Sequence, residues 1–145
     1  HDALPISLNV EERIVSETPV KVLVFSDNSS TRQAVITGVG FKASKDTAPI
    51  EWLQAATKFG VLELVDNNSD IAVLVLDGET QKEGGMSVAK ELAGTRQDVP
   101  PVLMLTARPQ DDWLATWAGA SRIVSAPFDS QELQEALAEL LRQRR

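Results

Sequence analysis

Two aspartates and a threonine stand where short apolar runs end in this sequence. Asp27 follows Lys21-Val22-Leu23-Val24-Phe25 and Ser26, Asp77 ends Ile71-Ala72-Val73-Leu74-Val75-Leu76, and Thr106 ends Val102-Leu103-Met104-Leu105. An apolar run bounded by polar turn residues reads as a strand buried on both faces of a parallel sheet. Each of the three polar residues is thereby placed at a strand's carboxyl end, and ligands of open parallel α/β sheets bind outside those ends. Two carboxylates in one cleft repel, and a hard divalent cation with oxygen ligands, such as Mg²⁺ retaining several waters, relieves them. Such a site would bind a phosphate. A carboxylate at a strand end can also simply cap the turn that follows, but the convergence of Asp27 and Thr106 on Asp77 favours a site.

These residues need elements to hold them. From Pro19 onward, β-branched apolar runs alternate with segments of helical period, the pattern of βα units on a parallel sheet. The strands read as 21–25, 50–55, 71–76, 102–105 and 122–125, and the helices as 30–39, 58–66, 86–93, 111–118 and 130–142. The run Ile50-Glu51-Trp52-Leu53-Gln54-Ala55 alternates only partly and suits a sheet edge. Ser30 with Gln33 has the form of a capping box, Gly40 can stop that helix, and 41–49 reads as a surface loop. Gly60 weakens the second helix by about 1 kcal/mol relative to Ala. Leu133, Leu137, Leu140 and Leu141 recur at core-facing spacing in the last helix. Residues 1–19 lack a sustained period and read as a disordered N-terminal tail, with 20–145 as one doubly wound α/β domain.

With 145 residues, 43% apolar and 24% charged, the chain has the composition of a globular protein with a single core. It contains no cysteine, which excludes disulfides, thiolate catalysis and cysteine-ligated metal centres. The net charge of −7 argues against nucleic acid as a direct partner. No apolar run approaches the roughly 18–20 residues needed to span a bilayer, and the N-terminus lacks the plan of a secretory signal. The expected compartment is the cytoplasm, without membrane insertion.

The order and spacing of these features resemble the receiver domain of two-component response regulators, the CheY-like superfamily, from Val20 to the C-terminus. Lys21 to Asp27 resembles the family's first strand and acidic pair, and Leu74-Val75-Leu76-Asp77 resembles its phosphoacceptor strand. Gly85 falls at the glycine opening the third helix. Val102 to Ala107 resembles the fourth strand with its switch hydroxyl, and Gly119-Ala120 followed by Ala126-Pro127-Phe128 resembles the fifth strand and its Lys-Pro-Phe ending. The resemblance implies a flavodoxin-like three-layer (βα)5 sandwich with a parallel five-stranded sheet in the order 2-1-3-4-5. It implies Asp77 as phosphoacceptor from a histidine kinase or small phosphodonor, and Thr106 as the hydroxyl that bonds the new phosphoryl group. It implies Mg²⁺ on Asp27, Asp77 and the backbone carbonyl of Glu79, with Ser26 acting through a water. A cis peptide at Ala126-Pro127 is implied too, as is a protein-target surface on helix four, strand five and helix five, the target including a second copy in a homodimer.

Three positions depart from the family's pattern. Ser26 replaces the first acidic residue, which removes one negative charge and weakens Mg²⁺ binding. Ala126 replaces the lysine that contacts the acyl phosphate, so strand five supplies no cation to the developing charge. Ile123 replaces the aromatic switch residue and leaves Thr106 without its usual partner. Arg108, on a loop at the same edge, either reaches the phosphate with its planar fork or faces solvent. Trp113 and Trp117, four apart on helix four, either pack on the sheet or face a partner. The Arg142-Gln143-Arg144-Arg145 tail complements a helix C-terminus.

The function expected from the sequence is that of an atypical single-domain receiver, stand-alone, with no room for an output domain. It takes phosphoryl weakly at Asp77, acts through protein–protein interaction, and does no catalysis beyond slow self-phosphorylation and dephosphorylation. The alternative is a pseudo-receiver, an interaction or dimerisation module that is not phosphorylated. A phosphatase of the haloacid-dehalogenase kind, which Leu76-Asp77-Gly78-Glu79-Thr80 resembles, would need an aspartate where Val75 stands. A nucleotide- or flavin-binding module lacks its glycine-rich loop, since Asn28-Ser29-Ser30-Thr31 follows the first strand.

Overall fold

The computed structural model describes residues 18–79 and 84–143. Its elements alternate as the periodicity requires: β1 (Val20–Phe25), α1 (Ser29–Val39), β2 (Ile50–Ala55), α2 (Lys58–Asn67), β3 (Ile71–Asp77), α3 (Gly85–Thr95), β4 (Val102–Thr106), α4 (Asp112–Trp117), β5 (Arg122–Ser125) and α5 (Ser130–Gln143). The strands form one five-stranded sheet in the order β2-β1-β3-β4-β5, all pairs parallel. This is the flavodoxin-like receiver fold. The expected tail lies outside the described residues except for 18 and 19, which precede β1. Among the described residues no helix is long and apolar enough to cross a membrane.

Successive strand residues point to opposite faces, and two cores follow from that alternation. Val22, Val24, Val73, Val75, Leu103, Leu105 and Val124 pack under α1 and α5, which contribute Val35, Val39, Leu133, Leu137 and Leu140. Leu23, Phe25, Leu74, Leu76 and Met104 pack on the other face against Val61 of α2, Val88 and Leu92 of α3, and Ala115 of α4. All seven residues of β3 are buried, as the middle strand between two helical layers must be.

Local chemistry moves two element starts. Asn28, not Ser30, caps α1: its side-chain Oδ1 accepts the Ser30 N–H at 2.8 Å, while Gln33 donates to Thr37 instead of reaching back. Asn is as good an N-cap as Ser, and using it starts the helix a residue earlier. Helix four is shorter than its apolar pattern because Pro109 opens a 3-10 turn, Pro109–Asp111, before α4 begins. Gly40, at φ +82°, ends α1 with its N–H on the Ile36 carbonyl, 2.8 Å away. The loop 41–49 is ordered by Thr47, whose buried hydroxyl bonds both the N–H and the carbonyl of Ser44.

Candidate functional site

Strand register builds the site. Phe25 is level with Leu76, so Ser26 and Asp77 follow side by side at the ends of β1 and β3, and Thr106 is level with Ser125 across β4 and β5. Ser26 is fully buried, and its Oγ donates to Asp77 Oδ2 at 2.7 Å while accepting the Asn28 N–H at 3.0 Å. The other carboxylate oxygen, Asp77 Oδ1, accepts the Glu79 N–H at 2.9 Å. Gly78 N–H donates to the Leu105 carbonyl at 2.8 Å, which ties the turn after β3 to β4. Asp77 is 8% exposed and opens onto the cleft at the strand ends.

That cleft, about 630 Å³, is lined by Asp27, Asn28, Ser29, Thr31, Asp77, Glu79, Thr106, Ala107, Ala126 and Phe128. Asp27, Asp77 and Thr106 are thus brought together, and Glu79 joins them. Three carboxylates and no cationic side chain appear among these lining residues. Ala126 stands at the wall where a longer side chain would enter, and the Ala126-Pro127 peptide is cis. Ile123 is partly buried against the core under α2, α3 and α4.

Arg108 is not brought to the cleft. Its guanidinium forks onto Asp111, Nε to Oδ2 at 3.3 Å and Nη2 to Oδ1 at 3.1 Å, with the side chain 63% exposed. The hydrogen bond from Arg108 to Asp111 raises the arginine's pKa above its ordinary value. An arginine that its place in the sequence did not single out touches the site's backbone. Arg32, one turn into α1, donates to the Ser26 carbonyl at 2.6 Å and to Gln54 at 3.1 Å, and so braces the end of β1.

Thr106 has partners other than an aromatic ring. Its Oγ1 lies 3.0 Å from Asp112 Oδ1 and 2.8 Å from Ser125 Oγ, and Ser125 Oγ is 3.1 Å from the same Asp112 oxygen. Neither Asp112 nor Ser125 carries a sequence motif. The available signal was only that Ser125 ends β5 as Thr106 ends β4.

Receiver domains hold Mg²⁺ in such an acidic pocket, and the donor set here is compatible with it. Asp27 and Asp77 supply hard carboxylate oxygens to one open cleft, and Mg²⁺ binds through one or two carboxylates with waters and phosphate oxygens completing its shell. Among the described residues no three acidic, histidine or cysteine side chains form a closed metal cage. The Ser26 hydroxyl is buried and donates to Asp77 Oδ2, so it meets the site through that carboxylate.

On α4 the two tryptophans face outward, Trp113 at 69% and Trp117 at 61% exposure, rather than packing on the sheet. Lys90 of α3 lies over the Trp117 ring, 4.2 Å from its centre.

A 2-1-3-4-5 parallel sheet with an aspartate ending its central strand and a hydroxyl ending the next defines the receiver class. No family model matches the chain. Its sequence is 37% identical over 127 residues to an uncharacterised response regulatory protein of Mycobacterium tuberculosis, in strains H37Rv and CDC 1551, a match covering 88% of this chain and 95% of that protein. The chain belongs to the response regulators of two-component signalling, as a receiver domain. In structure it resembles the receiver domain of a Francisella response regulator (TM-score 0.72, 24% identity, 88% of this chain and 100% of that one) and the chemotaxis response regulator CheY4 of Vibrio cholerae (TM-score 0.70, 26% identity, 86% and 100%). It also resembles a receiver-domain protein of Clostridium thermocellum (TM-score 0.70, 24% identity, 86% and 96%). Receiver domains of this kind are signalling modules that work with histidine kinases and effector domains.

Proposed function

We propose that the protein is an atypical receiver of the cytoplasm. It accepts a phosphoryl group weakly at Asp77 and signals by binding another protein. The observation that carries this reading is the cleft itself: Asp77 opens onto it beside Asp27 and Thr106, while no cationic side chain lines it among the described residues.

In the transfer, an Asp77 oxygen attacks the phosphorus of a histidine kinase's phosphohistidine or of a small acyl phosphate. The P–N or P–O bond breaks, its electron pair leaves with the donor, and an acyl phosphate forms on Asp77. Mg²⁺, when bound, neutralises charge on the phosphoryl oxygens. Asp27 and Asp77 would hold it, with the Glu79 carbonyl as a further oxygen donor. Ser26 keeps Asp77 Oδ2 engaged, and Thr106 offers the hydroxyl for the new phosphoryl group. Arg108 would have to leave Asp111 to reach that group. Lacking the cation that position 126 would supply, the chain forms and holds the acyl phosphate less well.

Incubation with Mg²⁺ and acetyl phosphate, followed by intact-mass measurement, tests this. One phosphoryl addition, slow in the parent and missing in Asp77→Asn, is expected. The second reading, an interaction module that is not phosphorylated, draws support from the buried Ser26–Asp77 bond, which occupies the nucleophile. It stands if neither acetyl phosphate nor beryllofluoride alters Asp77. The outward Trp113 and Trp117 suit α4, with β5 and α5, as the partner-facing surface in either case, whether the partner is a target protein or a second copy.

A further inference from the structure

Thr106, Ser125 and Asp112 bring β4, β5 and α4 to one point. Two hydroxyl protons serve three short oxygen–oxygen separations, 3.0, 3.1 and 2.8 Å. Either both hydroxyls donate to Asp112 Oδ1, or one donates to the other, which then donates to the carboxylate. In both arrangements the fully buried Thr106 hydroxyl is already committed, and a bond to a carboxylate is about twice as strong as one between neutral groups. Asp112 is the first residue of α4, which is only six residues long and follows a 3-10 turn. A helix that short has little stability of its own, so an anchor at its first residue matters. Asp112 is partly buried, whereas the Trp113 and Trp117 side chains stand largely in solvent.

We propose that Asp112 and Ser125 are positioning residues that form a latch. They hold the Thr106 hydroxyl at the start of α4, and an occupant of the cleft gains that hydroxyl only by taking it from them. Opening the latch releases the first turn of α4 and thereby changes how Trp113 and Trp117 are presented. Ile123, packed against the core, has no polar atom with which to do this. The coupling between cleft and helix therefore runs through a ring of hydrogen bonds. This inference rests on the reading of Asp77 as phosphoacceptor.

The test titrates the full chain with beryllofluoride in the presence of Mg²⁺. It follows the Asp77 and Glu79 amides by NMR, and separately measures hydrogen exchange of the α4 amides without ligand. Each bond removed is worth about 0.5–1.5 kcal/mol net, so half-saturation should fall about three- to tenfold in Asp112→Ala, and by less in Ser125→Ala, where Thr106 keeps Asp112, with α4 exchange quickening in the same order. Ser125→Thr, which restores a hydroxyl, should return both readouts toward the parent. Ser125→Ala removes a single oxygen and keeps the measurement open if Asp112→Ala does not fold. Binding by the variants but not by the parent would support the latch in its strongest form. If the parent binds and the variants match it in both readouts, the latch is overturned while the phosphoacceptor reading stands. Silence in every chain, an Ala126→Lys variant included, overturns the phosphoacceptor reading and the competition with it.

Discussion

The Ser26 hydroxyl lies 2.7 Å from Asp77 Oδ2 and donates to it, within a site closed to solvent on the serine side. Ser26 Oγ also accepts the Asn28 N–H, so one buried atom joins the end of β1, the cap of α1 and the end of β3. Ser26→Ala leaves a buried carboxylate oxygen and a backbone N–H short of a partner. Removing one partner of a buried pair costs about 1–3 kcal/mol, and a loss in that range is expected by urea denaturation. Ser26→Thr, which keeps the hydroxyl, should lose less. Equal stability of Ser26→Ala and parent would mean that the bond contributes nothing in solution.

Gly85 opens α3 directly against the end of β3. A Cβ there would stand 2.8 Å from the Asp77 carbonyl oxygen and 2.9 Å from Leu76 Cβ. Both neighbours belong to a strand buried along its whole length, so neither can yield easily. Gly85→Ala is expected to cost about 1–3 kcal/mol by overpacking and to shift the Asp77 and Gly78 amide resonances. An alanine variant with unmoved resonances and parental stability would show that α3 is not held this close.

Arg142, in the last turn of α5, grips Asp46 of the 41–49 loop with both Nε and Nη2 at 2.8 Å. That hydrogen bonding, with a lesser contribution from Ser44, holds the Asp46 carboxyl well below the usual carboxylate range. A depressed folded-state pKa means that the unfolded chain binds more protons in the window below its own value, about 3.9 for Asp. The contribution to stability is therefore present above that value and is lost as pH falls through the folded one. A carboxyl-carbon NMR titration should find Asp46 still ionised at pH values where ordinary aspartates have protonated. Arg142→Ala should return it to the ordinary range. The pair is exposed, so salt should shrink the difference. An Asp46 that titrates normally in the parent removes the fork as a solution feature.

The architecture was legible because its determinants are local and repeated. An unbroken apolar β3, a partly alternating β2 and leucines at helical spacing in α5 each point to one place in a doubly wound sheet. Asp77, Asp27 and Thr106 could be placed in one cleft because each ends a strand, and parallel strands in register bring their ends together. The partners of those residues were not legible in the same way. Asp112 meets Thr106 because Pro109 opens a 3-10 turn that sets where α4 starts, and Ser125 meets it through register across a strand pair. The cap fell to Asn28 because two good capping residues lie near each other, and sequence does not rank them. Arg108 illustrates the opposite case. Its position on the loop matched a phosphate contact, but Asp111, three residues on, gives it a nearer carboxylate.

Among the described residues the cleft wall carries no cation, and this leads to the most direct functional prediction. A phosphoryl group entering the cleft meets Asp27, Asp77 and Glu79, while Ala126 faces the same space without charge. Ala126→Lys places an ammonium on that wall, where it can balance charge as the acyl phosphate forms. One preorganised electrostatic donor is worth about 10²–10³ in rate at sites of this kind. A flexible lysine in an open cleft should recover only part of that, so a gain of about tenfold or more in phosphorylation by acetyl phosphate with Mg²⁺ is expected. Ser26→Asp acts on a different quantity. It adds a carboxylate beside Asp77, so it should tighten Mg²⁺ binding, followed through the Asp77 and Glu79 amides, and destabilise the metal-free protein through like-charge repulsion. The two substitutions together should exceed either alone in rate, since one acts on the phosphoryl group and the other on the cation. If Ala126→Lys leaves the rate unchanged while Ser26→Asp raises it, cation affinity rather than the missing ammonium limits the site. If neither raises it, the obstacle is the engagement of Asp77 itself or of Thr106. The Asp112→Ala titration then separates those two, because it takes away the carboxylate that holds Thr106 and leaves the Ser26–Asp77 bond in place.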